Sequence, residues 1–414
     1  MPEIWLNYGA SEVVLDIRAE NLEQTISSGA VLEGNERAAG AAGGGLTGGK
    51  DSADASNHHR HHLEPEEIAG RLGEGLSISK PFDLVLMHDS QSVRQIVSSI
   101  FTLCERRSVQ FPGILADRAI LPSVKAGLPE GSVAGEFNAQ SISDGSSSGN
   151  SSGTADGRSN NDTSRKRNMV FVAEAEFDGL FGYETVATRL IRRFGADEML
   201  AAYAKRDGGV PSPGRRTGSF EEAVRFADRF EIGGIDIVAD ADGISDIFVG
   251  HPSATAANAS ASLESHSIMD VEHQKAMIVS TGKASSNATL ADSLSSVWNC
   301  HAAVRKNGLC ILVAECSRGL GSDALRMHIE GRLPPERLQN PSIYVDGMEE
   351  ILFLYEAQKR CQIALVSILP EMYTGLLNIV SIPSMKRSVE YIQKTQGARQ
   401  KASVVSDGSR LLLR

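Results

Sequence analysis

The 414-residue sequence contains no run of about 18 apolar residues, the length that a membrane-spanning helix requires, so no membrane span is expected. Its opening, Met1-Pro-Glu-Ile-Trp5, lacks both a basic leader and a hydrophobic signal core, and a cytoplasmic protein is expected. Paired cysteines are missing too. Cys104, Cys300, Cys310, Cys316 and Cys361 are odd in number, widely spread and never arranged as Cys-x-x-Cys, so neither a disulfide framework nor a zinc site is expected. Positive charge is in deficit: 41 Lys and Arg face 52 Asp and Glu, a net charge of −11. No nucleic-acid partner is expected from such a balance.

Large apolar residues are scarce in two segments, about Ser27–Glu66 and Leu128–Arg167. Neither segment buries enough apolar surface to offset the entropy of ordering its backbone, so both are read as long low-complexity loops. The first holds His58, His59, His61 and His62, read as adventitious metal binders in a loop, not as a built nickel or zinc site. Gly44 to Lys50 resembles a phosphate-binding loop, but Asp51 replaces the needed Ser or Thr and no strand precedes it. Arg165-Lys-Arg167 reads as a solubilising flank.

What remains alternates short apolar strands with amphipathic helices, an α/β pattern with mainly parallel sheets flanked by helices. Ile4–Tyr8 and Glu12–Ile17 bracket Gly9-Ala10 as a hairpin. Phe82–Met87 reads as a buried strand, followed by a helix over Ser90–Arg106 with Val93, Ile96, Val97, Ile100 and Leu103 on one face. Met169–Ala173 is a strand leading into a helix over Thr185–Ala204, and Ile235–Ala239 with Ile244–Val249 read as a hairpin around an Asp-Gly turn. In the second half, strands are expected at Lys275–Ser280, Leu309–Ala314, Ile363–Ser367 and Ser403–Val405. Helices are expected at Ala288–Lys306, Asp323–Gly331, Met348–Cys361 and Ser388–Thr395. Because one core seldom exceeds roughly 250 to 300 residues, two domains are expected. They span residues 1–260, carrying the two insertions 27–66 and 128–167, and residues 270–414, with a boundary in the Ala/Ser/Asn-rich stretch Ala257–Asp270.

This order of segments resembles the nickel-dependent lactate racemase family. The resemblance is carried by Leu6-Asn-Tyr-Gly9, Val13-Val-Leu-Asp-Ile17 and Glu20-Asn-Leu22 at the first hairpin, by Tyr183–Ile191, and by Gly243–Gly250. It is carried further by Ile278-Val-Ser-Thr-Gly282, by Lys306–Gly321 with its Ala-Glu-Cys-x-x-Gly-x-Gly turn, and by Val404-Val-Ser-Asp-Gly408. It implies a two-domain lactate-racemase-like fold, an isomerase acting on a small 2-hydroxy acid, and a nickel pincer nucleotide. It also implies hydride transfer to the nickel-bound ring, with paired histidines exchanging the hydroxyl proton, a task suited to a group that titrates near neutrality. A lysine anchoring the cofactor and a histidine on nickel belong to the same first-domain pattern.

Residue by residue, those groups have no counterpart. From Asp89 to Gly250 there is no histidine, and from Asn168 to Ala204 no lysine. Thr188 stands at the position of the nickel-ligating histidine, and Asp292 and Ser295 stand near the family's substrate-contacting Gln and Lys. The Asp-x-Thr-Arg turn is loosely kept as His88-Asp-Ser-Gln-Ser-Val-Arg94. A divergent member is expected, with racemase activity altered or lost and a small hydroxy acid or a nucleotide-like ligand in the interdomain cleft. The alternative is a non-enzymatic ligand-sensing or regulatory protein on the same scaffold.

Several residues are candidates for the site. Glu174, Glu176 and Asp178 follow a strand with alternating spacing and are either general bases or hard-metal ligands, or a solvated acidic strand end. Asp89 and Arg94 follow a strand where open α/β sheets bind ligands, or form a helix cap with a surface arginine. The turns holding Ser280 and Gly282, and Gly319 and Gly321, offer backbone N–H groups to an anion. Glu315 and Cys316 read as structural, the only histidine partners in view for the thiol being His301 and His328.

Overall fold

The computed structural model describes residues 3–28, 30–33, 62–128, 132–137, 168–283 and 285–414. Most of both low-complexity segments, including His58, His59, His61, Gly44–Lys50 and Arg165–Arg167, lies outside the described residues. Within the second, Ala134–Glu136 is a short strand, not a loop, because it pairs with Gly113–Ala116 at a sheet edge. His62 is also described, and its imidazole meets Asp240 at 2.9 Å.

Six strands form the first sheet, in the order 244–250, 233–239, 168–174, 82–86, 113–116, 134–136, all parallel except the 244–250 edge. Alternation along a strand sends Val170 and Val172 to one face and Phe171 and Ala173 to the other. The first pair packs with Val93, Ile96, Val97 and Ile100 of the helix Gln91–Arg106, and the second with Val186, Leu190 and Ile191 of the helix Val186–Phe194. That helix starts after Thr185 and breaks at Gly195, where the expected single helix becomes two, Val186–Phe194 and Ala196–Ala204.

Seven strands form the second sheet, in the order 380–382, 361–366, 304–313, 274–280, 402–405, 22–27, 30–33, again parallel except at the last edge. Residues 3–27, expected with the first domain, cross to this sheet. Leu22–Ser27 pairs with Ala402–Val405, and Ile4, Leu6, Leu15 and Ile17 cover the face presented by Ala276, Ile278, Leu309 and Ile311. The stretch expected as a boundary is a helix, Pro252–Ser267. His251 caps it, Pro252 opens it, and its small residues let Ala256, Ala259 and Leu263 bury themselves. The helix expected over Ala288–Lys306 is shorter, Leu290–Cys300, because the next strand already begins at Val304.

Both sheets are doubly wound. In the first, the chain leaves Phe82–Leu86 toward 113–116 and 134–136, then returns to 168–174 on the opposite side. In the second, it leaves Gln274–Ser280 toward 304–313, 361–366 and 380–382, then returns to 402–405 on the opposite side. Each reversal opens a crevice at the carboxyl ends of two neighbouring strands, the place where such sheets bind ligands.

Candidate interdomain site

The two crevices face each other. His88 and Asp89 follow, and Glu174 ends, the two strands that flank the first reversal, and Thr281–Lys283 and Ser406–Arg410 follow those that flank the second. Lys283 bridges them: its ammonium lies 2.5 Å from Glu174 Oε1 and 2.6 Å from Glu176 Oε1. Its turn is held by its own chain. Ser280 Oγ donates to the Asn7 carbonyl at 3.0 Å, and Asn7 Nδ2 donates to the Gly282 carbonyl at 3.1 Å. Gly282 has φ +77°, and a Cβ there would stand 2.6 Å from Asp407 Oδ1, so the position demands glycine.

Glu174 is 1% exposed, and its second oxygen accepts from Ser92 Oγ at 2.7 Å. His88 Nε2 lies 3.8 Å from that oxygen, an ion-pair distance but too long for a hydrogen bond. Burial opposes the charge on Glu174, yet Lys283 and His88 beside it hold the carboxyl well below the usual range. Glu176 is depressed as well: burial raises it, and Lys283 and Arg189 overcome that. Arg189 reaches Glu176 Oε2 at 3.0 Å and Glu184 at 3.5 Å.

Asp178 ends the acidic alternation. Its Oδ1 accepts from the N–H groups of Leu180 and Phe181, and its Oδ2 from Arg192 at 2.7 Å. Arg192 also donates to Glu349, at 2.5 Å, from the second half of the molecule. Beyond it, Trp298 Nε1 donates to Glu350 at 2.5 Å. Burial pushes Glu184, Glu349 and Glu350 up, Glu350 furthest, since its neighbour Glu349 adds repulsion. The ion pairs thus run along a junction that is otherwise apolar, where a Cβ on Gly179 would stand 2.7 Å from the Phe353 ring.

The candidates from the sequence therefore meet different fates. Glu174 is buried and Glu176 and Asp178 are part-buried, each paired with a cation, so they are not a solvated strand end. Asp89 and Arg94 pair with each other, at 2.7 Å and 2.6 Å, with Ser123 closing the group. The helix Leu290–Cys300 does not offer its first amides to an anion: Leu290 and Ala291 N–H donate to the Gly319 and Leu320 carbonyls. Gly319 (φ +83°) and Gly321 (φ +84°) shape that turn. Ser280 Oγ and the amides of Gly408 and Ser409, which donate to Ser280 and Thr281, are likewise spent within the chain.

Thr188 is buried, its hydroxyl accepting from Thr185 N–H at 2.7 Å and donating to the Thr185 carbonyl at 3.0 Å. Asp292 accepts from Thr289 Oγ1 at 2.6 Å, and Ser295 donates to the Asp292 carbonyl at 2.7 Å. No histidine partners Cys316 among the described residues: His301 bonds the Trp298 carbonyl and His328 lies between Tyr355 and the Leu333 carbonyl. Burial raises the Cys316 thiol, the mark of an inert one.

Lys283, Arg189, Arg192 and His88 were missed in the sequence. Lys283 directly follows the singled-out Ser280-Thr-Gly282 turn, and His88 precedes Asp89 by one residue, so both stood beside positions already marked. Arg410 belongs with them. A narrow recess with an empty volume of about 180 Å³ is lined by Glu176, Lys283, Arg410, Ser409, Phe177 and Leu263 among others.

Such a molecule is a pair of doubly wound α/β halves with a charged site between opposed crevices. No family model matches the sequence, and no curated protein matches it. Among solved structures, the lactate racemase apoprotein from Thermoanaerobacterium thermosaccharolyticum superimposes with a TM-score of 0.64 over 100% of both chains, at 13% identity. A protein from Thermotoga maritima superimposes with a TM-score of 0.57 at 8% identity, over 85% of this chain and 98% of its own. The fold is that of the lactate racemase apoprotein. Among the described residues, no helix is long and apolar enough to cross a membrane.

Proposed function

We propose that this protein binds a small hydroxy acid between its two halves and does not carry out nickel-dependent racemisation. One observation carries the reading: Lys283, flanked by Glu174 and Glu176, occupies the junction of the two crevices. Lys283 supplies a cation at this junction, and reversal points of doubly wound sheets are where such sheets bind small ligands.

The nickel pincer nucleotide that the family resemblance implies does not fit these residues. The loop Glu174–Gly182 has no lysine, and the buried Lys283 is committed to two carboxylates. Thr188, at the position of the nickel ligand, spends its hydroxyl on its own helix cap. Among the described residues no three His, Cys, Asp or Glu side chains gather as a metal site.

Titration calorimetry of the full chain with L-lactate and D-lactate tests the reading. Saturable binding of either, lost in Lys283→Met, is the expected result, and no heat with any 2-hydroxy acid contradicts it. The tightness of the recess favours a second reading, in which binding parts the halves and the protein acts as a ligand-sensing switch. Ligand-induced stabilisation without turnover supports that form.

A further inference from the structure

We infer that Glu176 stands in for the ligand: its carboxylate fills the anion position of the interdomain recess, and a small carboxylate with a short apolar end binds by displacing it onto Arg410 and Lys283. The inference rests on the reading above, that a small acid binds between the halves.

Three features support it. Both Glu176 oxygens are held by cations from opposite halves of the molecule, Lys283 at 2.6 Å and Arg189 at 3.0 Å. The Glu176 carboxylate thereby bridges the two halves. Glu176 lines the recess beside it, so its carboxylate stands where an entering anion would meet Lys283. Arg410, also in the lining, has a buried Nε without a hydrogen-bond partner among the described residues. A buried guanidinium N–H without an acceptor is costly, and a carboxylate is its natural complement. Glu176 does not supply that acceptor, because Lys283 and Arg189 hold it.

The exchange leaves the rest of the site intact. Glu174 keeps Lys283 paired when Glu176 leaves. Phe177 and Leu263 give the recess an apolar wall, which suits a short alkyl group more than a second charge.

Calorimetry with sodium L-lactate and sodium D-lactate on the full chain, compared with Glu176→Gln, Glu184→Gln and Arg410→Met, tests this. Glu176→Gln should bind about tenfold tighter or better than wild type, because the competing internal carboxylate is gone. Glu184→Gln removes a similar charge from Arg189 outside the recess lining and should change affinity by no more than about twofold. Arg410→Met should abolish the gain when combined with Glu176→Gln. Should Glu176→Gln fail to fold, Glu176→Ala carries the same expectation. Wild-type binding with no gain in Glu176→Gln overturns the stand-in role while leaving interdomain binding in place. An equal gain in Glu184→Gln, or undiminished binding without Arg410, also overturns it. Absence of binding in every variant removes both this inference and the reading beneath it.

Discussion

Lys283 and Glu174 join the two sheets at the points where each reverses its strand order, with the ammonium 2.5 Å from a carboxylate that is 1% exposed. Taking one partner away leaves the other charge buried without a counter-ion, which costs about 3–5 kcal/mol. Lys283→Met should therefore lower the urea midpoint strongly. Adding Glu174→Gln and Glu176→Gln to it should recover much of the loss. A loss below about 1 kcal/mol for Lys283→Met would show that the pair is not shielded as described.

Gly282 should tolerate no side chain. Its φ of +77° and its approach to Asp407 mean that Gly282→Ala both strains the backbone and pushes the Lys283 turn away from the first sheet. Destabilisation by about 1–3 kcal/mol is expected, read by thermal unfolding. Gly319→Ala provides the contrast: it also has positive φ, but nothing lies within 4 Å of its added Cβ, so its cost should be smaller.

Asp236 should make the fold less stable as pH rises toward neutrality. It is fully buried, accepts from Val186 N–H and Thr255 Oγ1, and burial pushes its carboxyl up to about 6. A raised carboxyl binds more protons folded than unfolded. Its contribution is present below pH 3.8 and is lost as pH rises through about 6. Relative to wild type, Asp236→Asn should gain roughly 2 kcal/mol between pH 4 and pH 7. Parallel stability profiles for the two proteins would contradict the assignment.

Glu174 and Glu176 act in the opposite sense. Their carboxyls are lowered in the folded state, so their contribution is present above the ordinary value of 4.5 and is lost as pH falls through the folded values. Acid unfolding of Lys283→Met should begin at higher pH than in wild type, where the depressed carboxylates resist protonation. An unchanged acid midpoint by circular dichroism would argue against the coupling.

The chain has two tryptophans, and they report on different places. Trp5 is 57% exposed, whereas Trp298 is buried at the junction, stacked edge-on to Phe353 and bonded to Glu350. In Trp5→Phe, emission should be blue-shifted, as for an indole buried at the junction. Emission that is already red in that variant would show the junction to be open.

Much of the scaffold was legible because it is local. Apolar runs such as Phe82–Leu86 and the 3.6-residue rhythm of Val93, Ile96, Val97 and Ile100 specify strand and helix within a few residues, and Ser90 marks the helix start by capping it. The stretch Ala257–Asp270 reads as a linker from its Ala and Ser composition, but those small side chains let it form the helix Pro252–Ser267 and pack. The site was legible only in its acidic half. Glu174 and Glu176 stand together in sequence, but Lys283 meets them across 109 and 107 residues, a pairing that no local pattern encodes. The crossing of residues 22–27 to pair with 402–405 is hidden for the same reason.

The most direct test of the central claim is D-lactate formation from L-lactate by purified full-length protein, with its nickel content determined in the same preparation. Neither stoichiometric nickel nor turnover is expected, because Lys283 and its two carboxylates occupy the junction and Thr188 has no free ligand atom. Stoichiometric nickel together with racemisation would contradict the account.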